Sequence, residues 1–148
     1  MGRVIPWKKS WMWSKDLEQF FESKCSGLVL HICCGESELG DVRVDLREDS
    51  KANVIADMFH LPFRDEAFDT IICDPPYKLA YDKRLKFLFP TLDKLKAGGK
   101  LILKLNWIPR FGDKAKLTEM YLYEGKRYWA DISIITVWVK VQTTLKGF

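Results

Sequence analysis

The chain has 148 residues, of which 47% are hydrophobic, and it carries a formal net charge of +4. This length and apolar content predict one packed domain, residues 1–148, and exclude an intrinsically disordered chain. No apolar run reaches the length of a transmembrane helix, and the N-terminus lacks the apolar stretch of a signal peptide. We therefore expect no membrane partner and a cytoplasmic location.

The charge is unevenly distributed along the chain. Residues 1–24 carry a net charge of +2, residues 25–75 carry −7 and residues 76–148 carry +9. A basic segment attracts phosphate, so the C-terminal half is either a nucleic-acid footprint or an ordinary solvated lysine surface.

The four cysteines are Cys25, Cys33, Cys34 and Cys73. No pair has C-x-x-C spacing, which argues against a zinc ribbon and against a disulfide framework. We therefore expect free thiols, no bound metal and the reducing conditions of the cytoplasm.

The first predicted element is a helix over residues 14–27, SKDLEQFFESKCSG. Ser14 can cap this helix and Gly27 can end it. Leu17, Phe20 and Phe21 fall on one face, as expected for a helix that packs on a core.

Four short apolar strands are predicted next, over residues 28–34, 41–46, 53–57 and 68–74. The first is followed by Gly35, and the other three contain or end on Asp45, Asp57 and Asp74. Such strands, with helices between some of them, are typical of an open α/β sheet, where ligands bind beyond the C-terminal ends of the strands. We therefore expect these four residues to gather at one edge of the sheet.

The rest of the chain predicts one helix and three strands. The helix spans residues 84–96, and Pro90 either kinks it or marks a late start. A glycine turn then leads to a strand over residues 100–105. Residues 118–125 and 131–141 predict a terminal antiparallel hairpin on an otherwise mostly parallel sheet.

The connections between the first three strands are unusually short. Seven residues run from Gly35 to Asp41 and seven from Leu46 to Ala52, whereas parallel strands normally need a crossover of about a dozen residues. The first two crossover helices should therefore be curtailed, unless the first two strands form an antiparallel hairpin. Curtailed helices leave one sheet face thinly covered, and we expect the tryptophan-rich N-terminus, a second copy of the chain or a partner subunit to close it.

Two basic segments are candidate nucleic-acid contacts. Residues 6–15, PWKKSWMWSK, interleave three tryptophans with lysines, which suits base stacking beside phosphates and equally suits core packing. Residues 106–116, NWIPRFGDKAK, form a basic loop after the fifth strand. This loop is either a substrate contact or an ordinary solvated loop.

Several segments between about residues 28 and 105 together resemble the class I S-adenosylmethionine-dependent methyltransferases. They are VLHICCGES, VDL, IADMFHLPFRDEAFDTIICDPPY and LKAGGKLILK. Within that class, the combination of LPF, FD and DPPY resembles the amino-methyltransferases that modify exocyclic nitrogens of nucleobases, of the adenine-N6 type. The resemblance implies a compact Rossmann-like α/β fold, S-adenosylmethionine as the cofactor and a nucleic acid as the partner.

The resemblance also implies how the domain is divided. Residues 1–27 would be an N-terminal segment with its helix. Residues 28–77 would be the cofactor and catalytic half, and residues 78–148 the substrate-side half.

The DPPY motif, with the lysine after it, carries the implied catalytic chemistry. An exocyclic amine is a poor nucleophile, and two acceptors for its hydrogens favour a pyramidal nitrogen. The resemblance assigns these acceptors to the Asp74 carboxylate and the Pro75 carbonyl, in a turn that Pro76 helps to stiffen. Tyr77 would stack on a base swung out of its strand, and Lys78 would be a further substrate contact. A turn that merely ends a strand is the alternative.

The glycine-rich loop of the family matches HICCGES with departures. The resemblance implies cofactor contacts from His31, Cys33, Gly35 and Ser37. Gly35 remains, whereas Cys33 and Ser37 replace glycines and His31 replaces an acid. Small residues let backbone N–H groups approach the cofactor. His31 is alternatively a core histidine without a cofactor contact.

Two acids complete the implied cofactor site. Asp45 would bind the ribose hydroxyls and Asp57 the adenine amino group, with Met58 and Phe59 beside the ring. An acid that only caps a turn is the alternative for both.

The predicted function is therefore methyl transfer to an exocyclic amine of DNA or RNA, adenine N6 first and guanine N2 or cytosine N4 after it. One alternative is a catalytically inert methyltransferase-like binding subunit, motivated by the unusual glycine-rich loop. Another is a methyltransferase that acts on a protein side-chain amide, although that family usually has asparagine where this chain has Asp74.

Overall fold

The computed structural model describes residues 4–6, 15–126 and 130–142. Within these ranges the helices are α1 (Lys15–Lys24), α2 (Tyr77–Asp82) and α3 (Arg84–Asp93). The strands are β1 (Val4–Pro6), β2 (Val29–Ile32), β3 (Val42–Asp45), β4 (Val54–Ile55), β5 (Phe68–Cys73), β6 (Leu95–Leu105), β7 (Ala115–Lys126) and β8 (Ala130–Lys140). No helix in this part of the chain is both long and apolar enough to cross a lipid bilayer.

The strands form one sheet in the order β1-β7-β8-β6-β5-β2-β3-β4. Strand β8 runs antiparallel to both of its neighbours, β6 and β7. The remaining pairs are parallel. The sequence prediction of a mostly parallel α/β sheet with a terminal antiparallel hairpin is therefore confirmed.

Strands β2 and β3 are parallel although only residues 33–41 join them. The antiparallel alternative for this pair is therefore wrong. A four-residue strand is about 13 Å long, while a nine-residue connection can reach about 30 Å, so a loop returns along the strand without a helix. Residues 46–53, between β3 and β4, likewise contain no helix. The prediction of curtailed crossover helices is confirmed.

Helices cover both faces of the central strands. On one face α1 buries Leu17 and Phe21 against a cluster that includes Ile72 and Ile102. On the other face α3 contributes Phe87, with Leu88 and Leu92, to the larger core cluster. Strands β2 and β5, and the last five residues of β6, are covered on both sides, and these segments are mainly apolar.

Several element boundaries differ from the sequence predictions. Strand β6 begins at Leu95 rather than at residue 100, because Gly98 and Gly99 form an irregularity within the strand instead of a turn before it. Helix α3 continues through Pro90 and ends at Asp93. The sequence did not predict α2 or β1. Ser14, the predicted cap of α1, lies outside the described residues.

The face of the sheet that we expected to be thinly covered includes Arg43 of β3, which pairs with His31 on the side where α1 packs. There the Arg43 guanidinium donates hydrogen bonds to the backbone carbonyls of Lys51, at 2.8 Å, and Gly40, at 3.0 Å. The tryptophan-rich segment that we expected to cover this face falls on residues 7–14, outside the described part of the chain. Closure of this face by a second subunit stays a prediction.

Candidate active site

A cavity of about 950 Å³ opens at the C-terminal ends of the parallel strands β2, β3 and β5. Gly35, Asp45, Asp57 and Asp74 all line it, so the sheet brings together the four residues that the strand ends predicted. A volume of this size is typical of a site for a small molecule or cofactor.

The loop after β2 has backbone conformations that suit small residues. Gly35 has a φ of +54° and Cys33 a φ of +58°, both in the left-handed region that glycine adopts most readily. Cys33 therefore occupies a glycine-like position at a strain cost of roughly 1–2 kcal/mol. Its thiol lies 3.6 Å from the sulfur of Met58, on the lining of the cavity.

Asp45 is the last residue of β3, and its carboxylate holds the loop that follows β2. One of its carboxylate oxygens accepts a hydrogen bond from the Gly35 N–H at 2.9 Å, and the other accepts from the Arg47 N–H at 3.0 Å. A carboxylate offers about four lone-pair positions, so each oxygen can still accept a ligand hydroxyl. Asp45 thus both caps a turn and faces the cavity.

Asp57 follows β4 and is held by the backbone that comes after it. Its Oδ1 accepts a hydrogen bond from the Phe59 N–H at 2.9 Å, and the His60 ring nitrogen Nδ1 lies 3.4 Å from Oδ2. The Phe59 N–H bond lowers the pKa of Asp57, and His60 adds to that effect. The ionised carboxylate beside Met58 and Phe59 can therefore accept hydrogen bonds from an amino group on a flat ring.

The first three residues of the DPPY motif lie on the same cavity. Asp74, Pro75 and Pro76 contribute to its lining, directly after the end of β5. Tyr77 is the first residue of α2 and lies beside the cavity rather than on its lining. Lys78 is also off the lining, because its side chain is exposed on α2 and pairs with Asp82 at 2.7 Å.

His31 and Ser37 are not placed to contact a ligand in this cavity. His31 is buried on the α1 side of the sheet, and its ring Nδ1 donates to the Leu39 carbonyl at 2.9 Å. Ser37 donates to Glu18 at 3.0 Å and so ties the same connection to α1. The geometry favours the alternative of a core histidine, and burial lowers the pKa of His31 to about 4.

Lys104 is a site residue that the sequence analysis missed. It follows Leu103, which pairs with Cys73, so it lies next to Asp74 across neighbouring strands. Its ammonium nitrogen donates to the Tyr77 hydroxyl and lies 3.5 Å from Asp74 Oδ1. The sequence held one signal that could have identified it. Lys104 is a single lysine inside the apolar run LILKL, and buried strands of a parallel sheet are normally apolar throughout.

The strand order, the antiparallel β8 and the ligand-sized cavity at the strand ends define a Rossmann-like methyltransferase fold. A SAM-dependent methyltransferase from Methanosarcina mazei superposes with a TM-score of 0.64 at 10% identity, covering 84% of this chain and 98% of that one. A TehB-like SAM-dependent methyltransferase from Corynebacterium glutamicum gives 0.59 at 16%, covering 83% and 86%. TrmN from Thermus thermophilus gives 0.60 at 19%, covering 85% of this chain and 48% of TrmN. These similarities show the fold.

At the level of sequence, no protein-family model and no curated protein matches the chain. The fold assignment therefore rests on the three-dimensional similarity.

Proposed function

We propose that the chain is an S-adenosylmethionine-dependent methyltransferase that acts on an exocyclic amine of a nucleobase in DNA or RNA, with adenine N6 as the favoured target. One observation carries the proposal: Asp74, Pro75 and Pro76 line the same cavity as Asp45 and Asp57. A cofactor held by Asp45 and Asp57 would therefore lie next to the DPPY motif, which would orient the target amine.

The residues on the cavity fit the cofactor. Asp45 offers acceptors for the two ribose hydroxyls, and Asp57 offers a carboxylate for the adenine amino group. Met58 and Phe59 supply apolar surface for the ring. Gly35, with its positive φ and no side chain, leaves room for the amino-acid part of the cofactor.

The catalytic motif supplies geometry rather than covalent chemistry. When bound, S-adenosylmethionine would supply a methyl group whose bond to the sulfonium sulfur breaks as an aligned nitrogen bonds to the methyl carbon, with the neutral thioether as the leaving group. The Asp74 carboxylate and the Pro75 carbonyl would each accept a hydrogen bond from one N–H of the target amine and so aim its lone pair at that methyl. Pro75 is buried and Pro76 precedes α2, so the turn that carries both acceptors is stiff.

Aromatic and basic side chains beside the motif support a nucleic-acid substrate. Tyr81 is 49% exposed and makes an edge-to-face contact with Trp107 at a centroid distance of 5.5 Å. The Arg84 guanidinium lies 4.7 Å from the Tyr81 ring centroid. Exposed aromatic rings next to cationic side chains suit stacking of bases beside phosphates.

Transfer of tritiated methyl groups to separate DNA, RNA and protein pools tests the proposal. We expect label in a nucleic-acid pool, and Asp74→Ala should reduce the rate by at least about 100-fold, the usual effect of removing one preorganised hydrogen-bond partner. Asp65→Ala is the matched control, because Asp65 is 68% exposed and pairs with Lys94 away from the cavity.

The outcomes separate the alternatives. Label in the protein pool alone would favour the side-chain amide methyltransferase. Cofactor binding without label in any pool would favour the inert binding subunit. Label that persists in Asp74→Ala would contradict the role assigned to this residue.

A further inference from the structure

Lys104 places a charged group where charged groups are costly. Only 8% of the residue is exposed, and it lies near the C-terminal end of β6. A buried ammonium destabilises a fold unless partners satisfy it. Its partners therefore indicate what it does.

The partners of Lys104 come from three different elements. The ammonium donates a hydrogen bond to the Tyr77 hydroxyl at the start of α2 and lies 3.5 Å from Asp74 Oδ1 at the end of β5. It also lies 5.1 Å from the ring centroid of Tyr123 on β7, within the range of cation–π attraction. Lys104 thus connects two residues of the DPPY motif to the neighbouring strands.

The prolines of the motif restrict its φ angles but leave two of its positions without backbone donors, so other groups must fix the position of the turn. Pro75 and Pro76 have no backbone N–H, so the turn cannot be fixed by backbone donors at these positions. Pro76 is also the N-cap of α2 and makes no side-chain capping bond. Side chains at and just after the end of β6 hold the motif instead. Lys104 donates a hydrogen bond to the Tyr77 hydroxyl, and Trp107 Nε1 donates one to the Tyr77 carbonyl at 3.3 Å.

We propose that Lys104 is a positioning residue for methyl transfer, which fixes the Asp74 carboxylate directly and the first turn of α2 through the Tyr77 hydroxyl. This inference rests on the proposed function. Lys104 does not line the cavity, so it acts through Asp74 and Tyr77 rather than on the cofactor. An ammonium would also oppose positive charge developing on the amine, so its contribution is geometric.

Steady-state kinetics and cofactor-binding calorimetry of four single variants, and of the double variant Tyr77→Phe/Lys104→Met, test the proposal. Lys104→Met should lower kcat by about 100-fold, the cost of a misplacement of about 1 Å, with an unchanged Kd for the cofactor. Lys104→Arg should recover part of the loss because it keeps the charge but not the shape. Tyr77→Phe should lower kcat without adding to the effect of Lys104→Met. Lys100→Met is the control, because Lys100 lies four residues before Lys104 on the same face of β6. It should change neither kcat nor the Kd for the cofactor.

A purely structural lysine would give a different pattern. Lys104→Met would then reduce cofactor affinity and kcat together, in proportion to the loss of folded protein measured by circular dichroism. That result, or an unchanged kcat, would overturn the proposal.

A second readout does not need turnover. In acetylation followed by mass spectrometry, Lys104 should react at least about tenfold more slowly than Lys86, an exposed lysine on α3, because a charge-assisted hydrogen bond is worth at least about that factor. Tyr77→Phe should raise its rate. Equal rates for the two lysines in the wild type would refute the pairing. If wild-type protein transfers no methyl group, the proposed function fails, and this measurement still decides the placement of Lys104.

Discussion

Asp45 combines two tasks in one carboxylate. It accepts backbone N–H groups from Gly35 and Arg47 and still faces the cavity. The loop that would receive the cofactor is therefore held by the same side chain that would bind the ribose. Under the proposed function, this dual use accounts for an acid at the end of β3 rather than any turn-forming residue.

Replacing Asp45 tests the cofactor site at the level of one residue. Asp45→Asn keeps one carbonyl acceptor but removes the charge, so we expect calorimetry to show roughly 10- to 100-fold weaker binding of S-adenosylhomocysteine. Asp49→Asn is the matched control, since Asp49 is an exposed acid in the next connection. Equal affinity in Asp45→Asn and wild type would contradict the assigned role.

The sequence predicts some site residues well and others poorly. Asp45, Asp57 and Asp74 were predictable because each follows a short apolar strand, and parallel strands end at one edge. Lys104 was not predictable as a site residue. The alternation of side chains along a strand indicates which face a lysine is on, but it does not indicate what covers that face. His31 shows the same limit, since only the folded structure places its ring under residues 33–41.

At the scale of elements, most of the strands were predicted within about two residues of their bounds, because each is a short apolar or alternating run that ends at a turn signal. These strands are β2, β3, β4, β5 and β8. Helix α2 was missed because it has six residues and no capping side chain, so two prolines were the only local signal. Strand β6 was predicted too short because Gly98 and Gly99 resemble a turn in sequence, whereas Leu95 and Lys100 on either side of them both pair with β5.

The connection after β2 gives a prediction on pH dependence. His31 holds this connection through Leu39, and burial lowers the pKa of its ring from the ordinary 6.5 to about 4. The unfolded chain takes up a proton below about pH 6.5, while the folded chain stays neutral to about pH 4. The free energy of unfolding should therefore fall by roughly 3 kcal/mol as the pH drops from 6.5 to 4.

Urea unfolding at several pH values measures this dependence. His31→Gln has no titrating ring, so its free energy of unfolding should fall less steeply between pH 6.5 and 4 than that of the wild type. Parallel profiles for the two proteins would show that His31 is not buried in its neutral form.

At the scale of the whole molecule, the short connections around β3 replace helices that would cover the sheet. Our proposal is that the N-terminal segment or a second subunit closes this face. Size-exclusion chromatography with light scattering, combined with iodide quenching of tryptophan fluorescence, tests it. We expect either a dimer or a monomer in which Trp7, Trp11 and Trp13 are protected from iodide. A monomer in which these three tryptophans are quenched would contradict the proposal, whereas Trp138 lies in the core and should stay protected in either case.

The fold and the cavity lead to one central claim, that the chain methylates an exocyclic amine of a nucleobase. Mass spectrometry of the nucleosides released from DNA and RNA after incubation with the protein and S-adenosylmethionine tests this claim most directly. We predict N6-methylated adenine nucleosides with the wild type and none above background with Asp74→Ala. Methylation on a ring carbon or ring nitrogen, or no methylated nucleoside at all, would contradict it.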